Sequence, residues 1–267
     1  MKFLAFDTST DIMSIAVTDG VSVWQHRGPG GAKSSTTLIP AILDLLASSG
    51  LALAELDAIV FGRGPGSFTG LRTACAVAQG LAFGAGSGAG IPVLPVDTLM
   101  ALAEEARFQR AEAPGDEPQL ITALLDARMD EMYVQRFEFR GAACTAVDHC
   151  VLMRPEDLQA DSAAHAPGAL LAGNVFEVYA GRLAHLASSP FIVHALPTAT
   201  AMLRLAPALA AAGQCVNAAG ALPLYVRDKV ALTTEERALV KEQKAQATLA
   251  AEPASDRQPD LMKRHFP

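Results

Sequence analysis

The chain has 267 residues, 51% of them hydrophobic and 18% charged, enough for one large domain or two small ones and too apolar for wholesale disorder. A formal net charge of −7 opposes unaided binding to a phosphate backbone, so any nucleic acid would have to be held mainly by a partner. Asp7 interrupts the opening apolar residues and no run reaches about 18 apolar residues, which argues against a signal peptide or membrane span and leads us to expect a cytoplasmic protein.

The opening reads as a strand Phe3–Phe6, a polar turn Asp7–Asp11 and a returning strand Met13–Thr18. Asp19-Gly20 then turns into a third strand, Val21–Trp24. After Gly28–Gly31 comes a helix from about Thr36 to Ser49, stopped by Gly50. A strand Ala58–Phe61, a glycine loop and a helix from about Gly70 to Phe83 follow, then a helix from about Thr98 to Gln109. Ala113–Pro118 is the best linker. Beyond it, the segment Thr122–Val134 overlays the opening hairpin at a constant offset, with Asp7 on Asp126, Asp11 on Asp130 and Met13 on Met132. Duplicated strand–Asp–turn–strand units followed by helices describe the actin-like, Hsp70-like and sugar-kinase (ASKHA) architecture, an α/β fold with two lobes and mixed sheets. A strand Ala169–Ala172 ending in Gly173-Asn174, a helix from about Thr200 to Ala212 and an extended Pro223–Arg227 complete the globular part. Thr233-x-x-Glu236 then opens a charged helical tail, and Pro253–Pro267 reads as disordered. The expected units are 1–112, 113–232 and the tail 233–267.

The sharpest local feature is Gly62-Arg63-Gly64-Pro65-Gly66-Ser67-Phe68-Thr69-Gly70, between a strand and a helix. Its backbone N–H groups and the helix dipole suit an anion, while three glycines around a proline equally make a sharp strand-to-helix turn. It is neither a Walker loop, lacking Gly-Lys-[Ser/Thr], nor a hydrolase elbow, since Pro65 and Thr69 stand where glycines belong. Asp7, Thr8, Ser9, Gly64 and Gly66 are the candidate nucleotide-binding residues. Asp7 sits where such folds place a carboxylate that reaches Mg²⁺ through water, though a turn or cap role serves as well. Asp126, Asp130 and Arg128 suit a hairpin turn with an ion pair. Cys75, Cys144, Cys150 and Cys215 show no C-x-x-C spacing and read as reduced thiols, with neither disulfide nor zinc expected. The six histidines, His26, His149, His165, His185, His194 and His265, are scattered and read as surface or packing residues.

The glycine loop followed by Leu71-Arg72 and Ala78-Gln79-Gly80-Leu81-Ala82 resembles the signature of the TsaB (YeaZ) family. Asp7-Thr8-Ser9-Thr10, Ile39-Pro40, Asp97-Thr98-Leu99, Asp126–Tyr133 and Pro223-Leu224-Tyr225-Val226-Arg227 fall in the family's order; only the tail from about Thr233 and the insertion Ser87–Gly90 look foreign to it. The resemblance implies the two-lobed ASKHA fold and a role beside the catalytic paralogue TsaD, with TsaE and TsaC, in making threonylcarbamoyladenosine in tRNA. It implies a non-catalytic scaffold subunit, with no catalytic residue and no metal of its own, and with ATP and Mg²⁺ used at the level of the complex.

The residues agree with that picture. Active members of the superfamily hold phosphate with Asp-x-Gly-[Thr/Ser], and here Ser9 stands at the glycine position while the loop after Asp126 has no glycine. The paralogue's metal site resembles a His-x-x-x-His pair, where this chain has Lys33-Ser34-Ser35-Thr36-Thr37-Leu38. On the first helix, Leu38, Ile42 and Leu45 make one apolar stripe and Ile39, Leu43 and Leu46 a second, wider than a helix resting on one sheet needs. The second helix, with Leu71, Ala74, Cys75 and Ala78, is rich in small residues that admit a close neighbour. The resemblance implies that these two helices, through Leu38, Ile39, Ile42, Leu45, Leu46, Leu71, Ala74, Cys75 and Ala78, pair with a second copy or with a TsaD-like partner. It also implies a TsaE-like ATPase as a further partner, with tRNA contacted only through the complex. The competing reading is an ATPase or small-molecule kinase of the same fold acting alone; a metallopeptidase lacks its ligands.

Overall fold

The computed structural model describes residues 1–85, 90–110, 118–158, 169–186 and 189–227. Strand β1 (Phe3–Asp7) is buried along its whole length, as suits a run with no polar residue before Asp7 and cover on both faces. It pairs antiparallel with β2 (Ile12–Thr18), and β2 with β3 (Val23–Pro29). On its other side β1 runs parallel to β4 (Ala58–Gly64), and β4 to β5 (Val93–Asp97), giving the order β3-β2-β1-β4-β5.

The second sheet repeats this plan. β6 (Gln119–Asp126), β7 (Met132–Arg140) and β8 (Ala143–Ala146) form an antiparallel meander, with β9 (Val151–Met153) also on β7. β10 (Leu170–Gly173) and β11 (Ile192–Val193) extend it in parallel beyond β6, for an order β11-β10-β6-β7-β8. Asp7↔Ser14 and Asp126↔Met132 close corresponding hairpins, so the duplication inferred from a few identities is carried by the whole topology. This is the duplicated α/β plan of the ASKHA fold.

Helices α1 (Ser34–Ser49) and α2 (Phe68–Gly84) cover the outer face of the first sheet, α1 on β2 and β3 and α2 on β4. Gly50 ends α1 in the left-handed conformation at φ 71°, the role read for it in the sequence. Helix α3 (Thr98–Arg110) and, after the short α4 (Val175–Val178), helix α5 (Ala199–Ala211) fill the space between the sheets. Although α3 follows the first sheet in the chain, it packs on β6 and β10 of the second; α5 follows the second and packs on β1 and β2 of the first. One apolar core therefore runs from Phe3, Val60 and Leu94 through Leu102, Met202 and Leu205 to Ile121, Phe137 and Leu170, and Met1–Val226 is one compact unit.

The two central helices are joined by ions as well as by apolar contact. The buried Glu104 accepts from Arg107 Nε at 2.7 Å and from Arg204 Nε at 2.7 Å, and Glu105 from Arg204 Nη2 at 2.9 Å and from the Thr198 hydroxyl at 2.7 Å. Burial raises the Glu105 pKa, but those donors outweigh it and the carboxyl ends below its usual range.

Some expected boundaries move. The third strand is Val23–Pro29 rather than Val21–Trp24, because an edge strand with one exposed face needs no apolar run. Strand β4 continues through Gly64, into the glycine loop. The linker Ala113–Glu117, most of the insertion Ser87–Gly90 and the tail from residue 228 lie outside the described residues.

Candidate functional site

Asp7 ends β1 with its side chain wholly buried. Its Oδ1 accepts from the Ser9 amide at 2.9 Å and from the Ser9 hydroxyl at 2.6 Å, while Oδ2 has no hydrogen-bond partner. Burial pushes the carboxyl up to about 6, against the lowering by the two Ser9 donors. What covers Oδ2 is the glycine loop: a Cβ on Gly62 would lie 1.9 Å from it and 3.0 Å from the Met202 methyl.

The rest of that loop lies on the same turn. Ser67 N donates to Ser9 O at 2.7 Å and Thr8 Oγ1 to Gly70 O at 2.8 Å. A Cβ on Gly66 would meet Ser9 O at 2.6 Å, and one on Gly70 would meet Thr8 O at 1.8 Å. Glycine is required at both positions because two backbones touch there. Ser67 caps α2, accepting from Gly70 N, and Leu224 N donates to Arg63 O at 2.7 Å, with Leu224 O 2.6 Å from where a Gly64 Cβ would stand. Gly64, at φ 120° and followed by a cis bond to Pro65, is thereby wedged beneath the segment Pro223–Val226.

Asp7, Thr8, Ser9, Gly64 and Gly66 are thus brought together as expected, but packed on one another, with Asp7, Thr8 and Ser9 all buried. The free oxygen of Asp7 faces Gly62 and Met202, which leaves no place for a hydrated Mg²⁺ beside it and does not fit the metal-contact reading. Among the described residues no cluster of His, Cys, Asp and Glu could hold a metal ion. The four cysteines are free thiols, and burial pushes Cys144 and Cys150 up to about 12.

The second turn, between β6 and β7, is built differently. Arg128, Met129 and Asp130 take φ of 60°, 56° and 61°, three successive non-glycine residues in the left-handed region. Side chains hold them there: Asp126 Oδ1 accepts from Arg128 N at 2.8 Å and from Tyr179 Oη at 2.7 Å, and Asn174 Oδ1 accepts from Asp126 N at 3.0 Å. Arg182 binds Asp130 at 3.2 Å and also Glu156. The ion pair expected within this turn exists, Arg128 to Asp126 at 3.5 Å, but Arg128 also reaches Asp11 of the first turn at 2.5 Å. Tyr179, Arg182 and Asn174 carried no sequence signal, since each acts on the turn from 48 to 53 positions away and local spacing is blind to that.

The partner stripe needs correction by residue. Leu38, Ile42, Leu46, Ala74, Cys75 and Ala78 are buried in this chain's own core, between the two helices and the first sheet, and Leu71 is buried as well. What α1 and α2 present outward is Ile39 at 46% exposure, Leu43 at 54%, Phe68 at 40% and Phe83 at 77%, with Leu45 half-buried. The inward row is Leu38, Ile42 and Leu46, drawn from both expected stripes, because residues four apart share one helix face. At the start of α2, Arg72 lies over the Phe68 ring at 3.8 Å and donates to Tyr225 Oη at 3.2 Å.

Comparison with known proteins agrees with this geometry. The family model for TsaD, tRNA N6-adenosine threonylcarbamoyltransferase, matches residues 30–255. The tRNA threonylcarbamoyladenosine biosynthesis protein TsaB of Haemophilus influenzae is 32% identical over 86% of this chain and 95% of its own length. That of Escherichia coli K12 is 31% identical over 86% and 96%. Among solved structures, YeaZ from Pseudomonas aeruginosa superposes with a TM-score of 0.70 at 35% identity, covering 84% of this chain and 99% of that one. Full-length relatives above 30% identity, the shared fold and the glycine loop seated on the Asp7 turn together make this chain a member of the TsaB (YeaZ) family.

Proposed function

We propose that the chain is a non-catalytic scaffold subunit in the formation of threonylcarbamoyladenosine in tRNA. In this reading it pairs in the cytoplasm with a TsaD-like paralogue, joined by TsaE- and TsaC-like proteins, to support threonylcarbamoyl transfer to the adenosine next to the anticodon of ANN-decoding tRNAs. The names of its full-length relatives support the process, and one observation supports the passive role: the Asp7 turn is sealed by Gly62, Gly66 and Gly70. A phosphate loop works by presenting free backbone N–H groups to the ligand, and here the Ser67 amide is spent on Ser9 O. ATP and Mg²⁺ then belong to the assembled complex, and the net charge of −7 leaves tRNA to the partner. No helix among the described residues is long and apolar enough to cross a membrane. The reading as a self-standing ATPase or kinase needs an open site at Asp7. The test is ATP turnover by the isolated chain and in the presence of the paralogue. Negligible turnover alone is expected, and turnover by the isolated chain that disappears in Asp7→Ala would reverse the reading.

A further inference from the structure

A cleft of about 230 Å³ lies within the unit Met1–Val226 and involves neither the sealed Asp7 turn nor the outer helices. Arg27 of β3, Glu105 and Gln109 of α3, Asn174 after β10, Glu177 of α4 and His194 after β11 line it. The register places Arg27 opposite Ser14, so both side chains leave the sheet on one face. Ser14 Oγ accepts from Ala199 N at 2.9 Å at the start of α5, which fixes that face as the one turned toward the cleft.

The polar groups divide into two kinds. Among the described residues the Arg27 guanidinium has no hydrogen bond or ion pair, so its donors are open to a ligand. Asn174 has its Oδ1 committed to Asp126 N, which leaves its amide N–H₂ as the end available to the cleft. These suit a carboxylate, which a guanidinium grips with two parallel bonds. Glu177, 74% exposed and 3.3 Å from His194, brings negative charge to the same small space, while the Glu105 carboxylate is already held by Arg204 and Thr198. A simple anion would meet Glu177 and a simple cation would meet Arg27. The volume lies below the range of about 300–1,000 Å³ usual for drug-sized ligands, so the occupant is compact. Ala195 and Leu196 add a short apolar stretch of wall.

We propose that this cleft binds a small zwitterion of the free α-amino acid class, its carboxylate on Arg27 and Asn174 and its ammonium toward Glu177. The inference is independent of the scaffold reading, since a scaffold with or without this ligand assembles through its outer helices.

The experiment is calorimetric titration of the full chain with L-alanine and L-serine, and with alaninamide and N-acetylalanine, which lack the carboxylate and the ammonium respectively. Saturable binding of the free amino acids in the millimolar range is expected, with no binding of either blocked form. Arg27→Ala and Glu177→Gln should each weaken binding about tenfold or more, the loss of a charge-assisted bond, while leaving the circular dichroism spectrum unchanged. Should Arg27→Ala fail to fold, Glu177→Gln decides alone. Absence of binding at millimolar concentration, equal binding of alaninamide, or binding undiminished in Glu177→Gln overturns the proposal. So does ATP binding that is lost in Arg27→Ala, because it assigns the same wall to a polyanion.

Discussion

At Asp7 a single carboxyl shapes its own turn. It orders the turn through Ser9, and its second oxygen is sealed against Gly62. Its pKa rises from 3.8 unfolded to about 6 folded, so the folded state takes up the proton first and the ionised carboxyl costs stability above about pH 6. Stability should therefore increase as pH falls from about 6 toward 4, by up to about 3 kcal/mol for a shift of this size. Asp7→Asn should remove that increment and be at least as stable as the parent at pH 7; urea melts of both proteins across this range check it, and parallel curves would contradict it. Gly66 is the complementary residue. Its substitution by Val drives a branched side chain into Ser9 O, and urea unfolding should register a loss of about 1–3 kcal/mol. The reason is close approach of two backbones rather than a left-handed φ at that glycine.

Among the elements, α1 decides between core and interface. Ile42 is fully buried and Leu43 is half exposed on the adjacent position of the same helix. Ile42→Glu should unfold the chain, by burying an unpaired charge at a cost of several kcal/mol, whereas Leu43→Glu should stay folded and lose assembly. Sedimentation of both variants with the TsaD-like partner separates the two. Central helices α3 and α5 depend on their ions: Arg204→Ala strands Glu105 and half of the Glu104 pairing in a buried site and should cost about 3 kcal/mol in chemical unfolding.

These same elements show what could be read from the sequence. Helix α1 with its Gly50 stop, the Asp7 hairpin and its repeat at Asp126 were legible because caps, turns and alternation are local. Which apolar residues of α1 face inward was not, since the row Leu38, Ile42 and Leu46 taken by the sheet crosses the two expected stripes. Strands β8, β9 and β11 are four residues or fewer, too short to display a pattern. The glycine loop announced itself, but whether its amides face a ligand or Ser9 depends on a partner about 58 positions away.

At the scale of the whole molecule, the two halves share a plan and differ at the turn that matters. The first turn is capped by the glycine loop; the second is held in a left-handed run by Tyr179, Arg182 and Asn174, and Arg128 ties it to Asp11. Exchange of α3 and α5 between the sheets makes Met1–Val226 one compact unit with α1 and α2 on its outside. Under the proposed scaffold role, this unit works through that surface and not through Asp7. The decisive measurement is threonylcarbamoyladenosine formed on tRNA in a reaction containing this chain, TsaD-, TsaE- and TsaC-like proteins, ATP and Mg²⁺, with Asp7→Asn and Leu43→Glu compared at equal concentration. Product near the parental level is expected with folded Asp7→Asn and little with folded Leu43→Glu; product lost with Asp7→Asn but undiminished with Leu43→Glu would overturn the scaffold role.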